Sequence, residues 1–473
     1  MASEEARWLR VERRPQETLR VAVERTLREA IVSGALRPGV RLPSSRALAS
    51  ELGVSRGVTT EAYAQLAAQG FVVNRPRAAP LVAEVAGPAR AAAPAAAPTP
   101  APRYDLTPTT PDVTLFPVRR WVSALADVVR AAPHTVFDYG DPRGERELRE
   151  VLAGQLGRTR GVVAVPEQIV VVQGAAQGID LLVRVLAARG ARRIAVEDPS
   201  LDSQPRRIAE HGLEPVWQPV DADGLVVAGL DADAVVVTPA HQFPTGAVLA
   251  GARRRELLRF ARARQALVVE DDYDAEFRYD REPVRALQGL DPDSVAYLGT
   301  ASKALAPALR LGWVVVPCEL ADEAERVKHL LDVCSPALEQ RALARLIVRG
   351  DYDRHVRRAR VTYHRRRDRL LAALERHLPE LPVDGIAAGM HVLVRLPPGV
   401  DDGSVAAEAA RLGVQATPLS RFASAGRRRQ GLVIGYGRMH EDALDSAIEL
   451  LARAVSAAAA SRPGAASLAV PGR

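Results

Sequence analysis

Lysine occurs at only two positions in this 473-residue chain, 303 and 328, although lysine and arginine together number 64. Arginine replaces lysine wherever a positive charge is enough. A guanidinium does not give up its proton and attack a carbonyl, whereas the primary amine that a Schiff base requires can. Lys303 ends the run Gly299-Thr300-Ala301-Ser302-Lys303, and Arg310 follows shortly after. Two hydroxyls, an amine and a guanidinium so close together suit a phosphate beside an electrophilic carbonyl. Lys328, in Ala324-Glu325-Arg326-Val327-Lys328-His329, has no such setting and reads as an ordinary surface charge.

Two other runs carry chemistry. Glu270-Asp271-Asp272-Tyr273-Asp274 follows the apolar stretch 266–269. Carboxylates at the end of a buried strand are costly unless something cationic meets them, and spacing does not separate Asp271 from Asp272 for that role. Gln173-Gly174-Ala175-Ala176-Gln177-Gly178 follows the stretch 169–172 and opens a helical pattern. Free amides at a helix N-terminus among small residues can hold a phosphate. The nine histidines show no metal-ligand spacing, and Cys318 and Cys334 are too few for a disulfide framework, so no metal is expected.

The elements that must position these groups are visible as periodicity. Apolar runs at 169–172, 194–196, 234–237, 266–269, 295–298 and 313–316 alternate with helical patterns, which predicts a parallel sheet covered on both faces. Ligands of such sheets sit beyond the strand C-termini, where the polar runs lie. From about residue 350, arginine-rich helices and strands at 390–394 and 432–434 predict a smaller α+β subdomain. Before the sheet, helices at about 15–33, after Pro43 and after Ser55, then a hairpin of 71–73 with 81–82, give a winged helix-turn-helix order. The expected organisation is a DNA-binding domain at 10–82, an Ala/Pro-rich linker at 83–103, a large domain at 104–456 and a disordered tail at 457–473.

Charge agrees with this division. The net charge is +7, and residues 1–82 hold 13 Arg and 8 Glu without Lys or Asp, an excess of +5. Such a concentration suits a nucleic-acid partner. No apolar stretch is long enough to span a membrane and no signal-like segment opens the chain, so a cytoplasmic protein is expected.

The large domain resembles the fold type I aminotransferases, which bind pyridoxal 5′-phosphate (PLP). The resemblance rests on the polar runs in this order and on Pro244-Thr245-Gly246, similar to that family's Pro-Thr-Gly turn. It implies Lys303 as the Schiff-base lysine, Asp271 (with Asp272 as rival) on the pyridinium nitrogen, and Tyr273 on the ring's phenolic oxygen. Thr300, Ser302, Arg310 and the Gly174, Ala175, Ala176 turn would surround the phosphate. Tyr139, in Tyr139-Gly140-Asp141-Pro142, resembles the tyrosine that reaches a phosphate across a homodimer.

The N-terminal region resembles the GntR-type winged helix in Leu42-Pro43-Ser44-Ser45-Arg46-Ala47-Leu48 and Leu52-Gly53-Val54-Ser55-Arg56. That resemblance implies contacts to double-stranded DNA from Arg46, Ser55, Arg56, Thr59 and Thr60, with Arg75 and Arg77 in the wing. The fusion resembles the MocR/GabR family of transcription regulators.

Three departures bear on function. The wing has Asn74-Arg75-Pro76-Arg77 where a glycine turn is usual, Leu201 follows Glu197-Asp198-Pro199-Ser200 where an aromatic is usual, and Val433 occupies the place of the substrate-carboxylate arginine. A valine cannot make that bidentate pair. The expectation is therefore a regulator that senses PLP or a PLP-linked effector and does not act as an enzyme. An active PLP-dependent aminotransferase with an appended DNA-binding domain is the competing expectation.

Overall fold

The computed structural model describes residues 10–75, 78–84, 101–274, 276–279, 284–424 and 429–460. The chain forms two compact units, 1–100 and 101–473.

In the first unit, Thr18 caps α1 (Leu19–Val32) by accepting from the Val21 amide. Ser44 caps α2 (Ser45–Leu52), which ends on Gly53 in the left-handed region at φ 63°. Ser55 precedes α3 (Arg56–Ala68) without a side-chain capping bond. β1 (Val72–Val73) and β2 (Leu81–Val82) pair antiparallel as a wing. Val23, Leu27, Ile31, Leu48, Ala62, Tyr63 and Leu66 close one core between the helices, as the four-residue spacing predicts. Helix α1 starts at Leu19, later than expected from about 15, because Pro15 and Gln16 (φ 66°) precede the cap.

The second unit opens with β3 (Tyr104–Asp105) and α4 (Val118–Ala131), followed by α5 (Arg146–Arg160), β4 (Ile169–Val172), α6 (Ala175–Ala188), β5 (Arg193–Asp198) and α7 (Ser203–Glu210). Next come β6 (Glu214–Asp221), β7 (Gly224–Leu225), β8 (Ala234–Val237), α8 (Gly251–Arg264), β9 (Leu267–Asp272), β10 (Val295–Thr300) and β11 (Gly312–Val315). The main sheet has the order β4-β11-β10-β9-β8-β5-β6-β7. Val170, Val172, Val236 and Leu298 pack on one face with α6, while Val171, Tyr297 and Val315 pack on the other. Each inner strand is thus buried on both sides, which is why the runs lack polar alternation.

The sheet is mixed, not parallel throughout. β11 runs antiparallel to both β10 and β4. A parallel return needs a crossover helix, and the stretch between Thr300 and Gly312 holds only a single 3₁₀ turn, Pro307–Leu309. An apolar run buried on both faces carries no sign of direction. Strand β6 was also not expected, since its run Glu-Pro-Val-Trp-Gln-Pro-Val-Asp is interrupted by three polar residues and two prolines.

The chain continues through α9 (Ala321–Asp332), α10 (Ala337–Val348) and the long α11 (Asp351–His377) into the smaller subdomain. There β12 (Val383–Asp384), β13 (His391–Arg395), β15 (Thr417–Pro418) and β16 (Gly431–Gly435) form a sheet ordered β12-β13-β16-β15. β14 (Val414–Gln415) pairs with β3. Helices α12 (Asp402–Arg411) and α13 (Leu444–Ala460) complete it. Helix α13 carries its alanine-rich end through Ala460, so 457–460 are helical where a tail was expected; 461–473 lie outside the described residues. Among the described residues, no helix is long and apolar enough to cross a membrane.

Candidate functional site

At the C-terminal ends of the parallel strands lies a cavity of about 230 Å³ lined by Lys303, Asp271, Tyr273, Thr300, Ser302, Arg310, Ala175 and Ala176. Residues 175–176, 271–273 and 300–303 meet because they stand at the C-terminal ends of β4, β9 and β10, while Arg310 enters the same edge just ahead of the antiparallel β11. Thr109, Ser200, Leu201, Gln204, Thr238, Phe243 and Pro307 complete the wall.

The Lys303 amine donates to the Thr109 carbonyl at 2.7 Å. Burial lowers its pKa, against the opposing pull of the Asp274 and Asp271 carboxylates. A buried amine eased toward its neutral form is the nucleophile that Schiff-base chemistry needs.

The two rival carboxylates differ sharply. Asp272 is paired with Arg160 through two contacts of 2.7 and 2.9 Å and accepts from the Tyr297 hydroxyl at 2.6 Å. Its oxygens are spent on structure. Asp271 lines the cavity; its Oδ2 accepts from Gln204 at 3.3 Å, and its Oδ1 is buried with no partner among the described residues. Burial, then the charge of Asp272, pushes the Asp271 carboxyl up to about 7, while Lys303 pulls it down. An orphaned buried carboxylate oxygen is a place prepared for a donor.

On the opposite side, Thr300 accepts from the Ser302 amide at 3.1 Å and bonds its hydroxyl at 2.9 Å. The Arg310 guanidinium donates to the Gln173 carbonyl and lies over Gly174. A Cβ on Gly174 would stand 2.9 Å from that guanidinium, and its φ of 79° also excludes other residues. The first amides of α6, those of Ala175 and Ala176, have no acceptor within the helix. This wall is a cradle for a small anion.

Lys328 is not the surface charge that its sequence setting suggested. It is fully buried, donating to Asp332 at 2.6 Å and Ser335 at 3.0 Å. Asp332 also accepts from Gln177 at 2.8 Å and Gln173 at 3.3 Å. Helix α9 therefore turns its lysine inward to anchor the start of α6.

Tyr139 is 82% exposed and stands outside this cavity. Val433 is fully buried against Phe243, Leu393, Leu419 and Phe422, with Tyr273 on the edge of that cluster. Among the described residues lining the cavity, Arg310 is the one guanidinium. Phe243, Gln204 and Thr109 were missed in the sequence. Phe243 immediately precedes the Pro-Thr-Gly turn and was readable by position, whereas Gln204 and Thr109 carry no local signal.

In the first unit, Arg46, Ser55, Arg56, Thr60 and Arg75 are exposed. None of the three arginines has an ion-pair partner among the described residues. Thr59 departs from expectation: it is fully buried and donates to the Ser45 carbonyl at 2.7 Å, tying α3 to α2. On α3, neighbouring positions point about 100° apart, so Thr60 takes the outward face. Arg77 lies outside the described residues.

A fold of this kind, with an amine, a carboxylate and an anion cradle at the strand ends, defines the aminotransferase class, and the comparisons agree. The family model for class I and II aminotransferases matches residues 108–449, and that for bacterial regulatory proteins of the gntR family matches 19–82. An archaeal alanine:glyoxylate aminotransferase superposes with a TM-score of 0.70 at 28% identity, covering 75% of this chain and 91% of that one. The kynurenine aminotransferase of Pyrococcus horikoshii gives 0.69 at 27%, covering 75% and 90%.

Relatives that share both units narrow the class. The probable rhizopine catabolism regulatory protein MocR of Rhizobium meliloti is 32% identical over 435 residues, 87% of this chain and 88% of the relative. The pyridoxine biosynthesis transcriptional regulator PdxR of Corynebacterium glutamicum is 32% identical over 443 residues, 91% and 94%. The chain belongs to the MocR-type family of transcriptional regulators, in which a GntR helix-turn-helix domain is joined to an aminotransferase-like domain.

Proposed function

We propose that this regulator binds PLP in the cavity of the second unit and uses it as a signal that changes DNA binding by the first, without turning over an amino acid. The observation that carries the reading is the orphaned Asp271 oxygen in the same 230 Å³ cavity as the Lys303 amine. A pyridine nitrogen is the donor that such an oxygen lacks, and its protonation would relieve the cost of burying the carboxylate.

When bound, PLP supplies an aldehyde for an amine and a ring that withdraws electrons. Lys303 would hold it covalently, its amine giving up the hydrogen bond to the Thr109 carbonyl and the aldehyde oxygen leaving as water. Asp271 would hold the protonated ring nitrogen, and Tyr273 would hold the ring's phenolic oxygen. Thr300, Ser302, Arg310 and the amides of Ala175 and Ala176 would hold the phosphate, and Gly174 leaves room for Arg310. Exposed Tyr139 would serve the cavity of a second copy, which makes a homodimer the working form. The chain would act in the cytoplasm, with its DNA.

Catalysis is disfavoured by the buried apolar cluster at Val433, where no guanidinium can fix a substrate carboxylate. The test is twofold. PLP should bind at one equivalent per chain with a visible band that Lys303→Ala abolishes, and no pair of amino acid and oxo acid should sustain turnover. Steady-state turnover with any such pair would establish the enzyme instead.

A further inference from the structure

Behind Tyr273 lies a group of side chains that the cofactor contacts do not use. His241 Nδ1 sits 2.9 Å from Asp274 Oδ2 and 3.1 Å from the Tyr273 hydroxyl. The Asp274 carboxylate acts on the same hydroxyl, raising its pKa further after burial. Both His241 and Asp274 are buried, at 3% and 2% exposure. The packing leaves no slack: a Cβ on Gly389 (φ 68°) would come within 2.5 Å of His241 Nδ1 and 2.6 Å of Asp274 Oδ2. His391, from β13, lays its ring 4.9 Å from that of His241.

Proton counting decides what this cluster does. Tyr273 has one hydroxyl proton and two claimants, the Asp274 carboxylate behind it and any anionic oxygen in the cavity before it. A buried carboxylate takes the donor nearest to it. If Nδ1 carries a proton, it satisfies Asp274, and Tyr273 is left to donate into the cavity. We propose that His241 and Asp274 form a proton-holding pair that positions the Tyr273 hydroxyl proton toward the bound ligand, making His241 a positioning residue for cofactor sensing. This rests on the PLP reading, because the ligand oxygen in question is the phenolic oxygen of the PLP ring.

The surroundings keep the choice between these donors. His391 is held neutral, its pKa well below the ordinary value through burial, then the charge of His241 and of Lys303. The other titratable groups acting on Tyr273 and Asp274 are Asp271, Glu197, Glu276, Tyr279, Tyr436 and Lys303. Glu197 already accepts from Thr238 and Gln242. Tyr279 and Tyr436 both donate to the Gly389 carbonyl. Neither supplies Asp274 with the proton that His241 can give.

The experiment follows the pH midpoint of the visible band of the PLP-loaded full chain. Removing a donor from the phenolic oxygen makes the Schiff base hold its proton to higher pH. Tyr273→Phe should therefore raise the midpoint by about one unit, roughly ten-fold in proton affinity. His241→Leu should raise it similarly, since Asp274 then captures the tyrosine proton, and the double variant should add nothing. His241→Asn, which returns a donor near the Nδ1 position, should restore the midpoint, and adding Asp274→Asn to His241→Leu should bring it back toward wild type. The proposal is overturned if His241→Leu leaves the midpoint unchanged while Tyr273→Phe shifts it, or if the two shifts add. One equivalent of Co²⁺ bound with visible bands lost in His391→Ala would also overturn it, by giving the cluster to a cation. Failure of the underlying PLP reading is distinguishable: the wild-type chain would then show no visible band.

Discussion

The two lysines are both withdrawn from solvent, yet their surroundings do opposite things. Lys328 is paired at 2.6 Å with Asp332 and bonded to Ser335, every contact holding its charge in place. Lys303 meets a carbonyl at 2.7 Å and an open cavity, and burial lowers its pKa. The lesson is that scarcity marks both amines as needed but does not say for what. A carboxylate within bonding distance makes an anchor, and a carbonyl with adjoining space makes a nucleophile.

The largest effect should come from erasing the contrast at Lys303. Lys303→Ala is expected to abolish the covalent visible band and to weaken PLP binding by at least 100-fold by equilibrium dialysis, with thermal stability of the apo chain little changed. Lys328→Met should do the reverse. Breaking a buried ion pair costs about 3–5 kcal/mol, so the melting temperature of the second unit should fall by several degrees. PLP should still form its band, with affinity reduced only through the loosened Gln173 and Gln177.

The next effect is pH dependence. The Asp271, Glu197 and Glu276 carboxyls are each pushed up to about 7, burial first in every case. In the unfolded chain they ionise near 4, so between about pH 4 and 7 the folded state binds more protons. Stability of the apo protein from these groups is therefore fully present at the acid end of that window and is lost as pH rises through it. Asp271→Asn should flatten the decline in urea midpoint by an amount worth roughly 4 kcal/mol. A decline unaltered by Asp271→Asn would show that the cavity carboxyl is not the one titrating.

The smallest effect separates neighbouring threonines on α3. Thr59→Val removes the bond to the Ser45 carbonyl and should cost the first unit about 1–2 kcal/mol in denaturant titration. Thr60→Ala should leave stability unchanged and weaken DNA binding several-fold in a gel-shift titration. Equal effects on DNA from both would mean that α3 does not present Thr60 to the groove.

Much of this was legible in the chain because it is local. The spacing of Val23, Leu27 and Ile31, the helix starts after Pro43 and Ser55, and the polar runs after β4, β9 and β10 are all written within a few residues. The cavity could be assembled from those runs because one rule places strand ends together. What was hidden needed three dimensions. The choice of Asp271 over Asp272 depends on Arg160, more than 100 positions earlier, and the turned strand β11 on the length of a loop. His241 and His391 stand 150 positions apart, so no spacing could announce their contact. Lys328 was misjudged since a helix rich in charges does not show which one faces inward.

The most direct test of PLP as a signal is the affinity of the full chain for a DNA duplex that it selects from a random pool, measured with and without PLP. The expected result is a change of at least ten-fold in wild type on adding PLP that is absent in Lys303→Ala. Equal affinities with and without PLP in a wild-type chain that carries the visible band would contradict it.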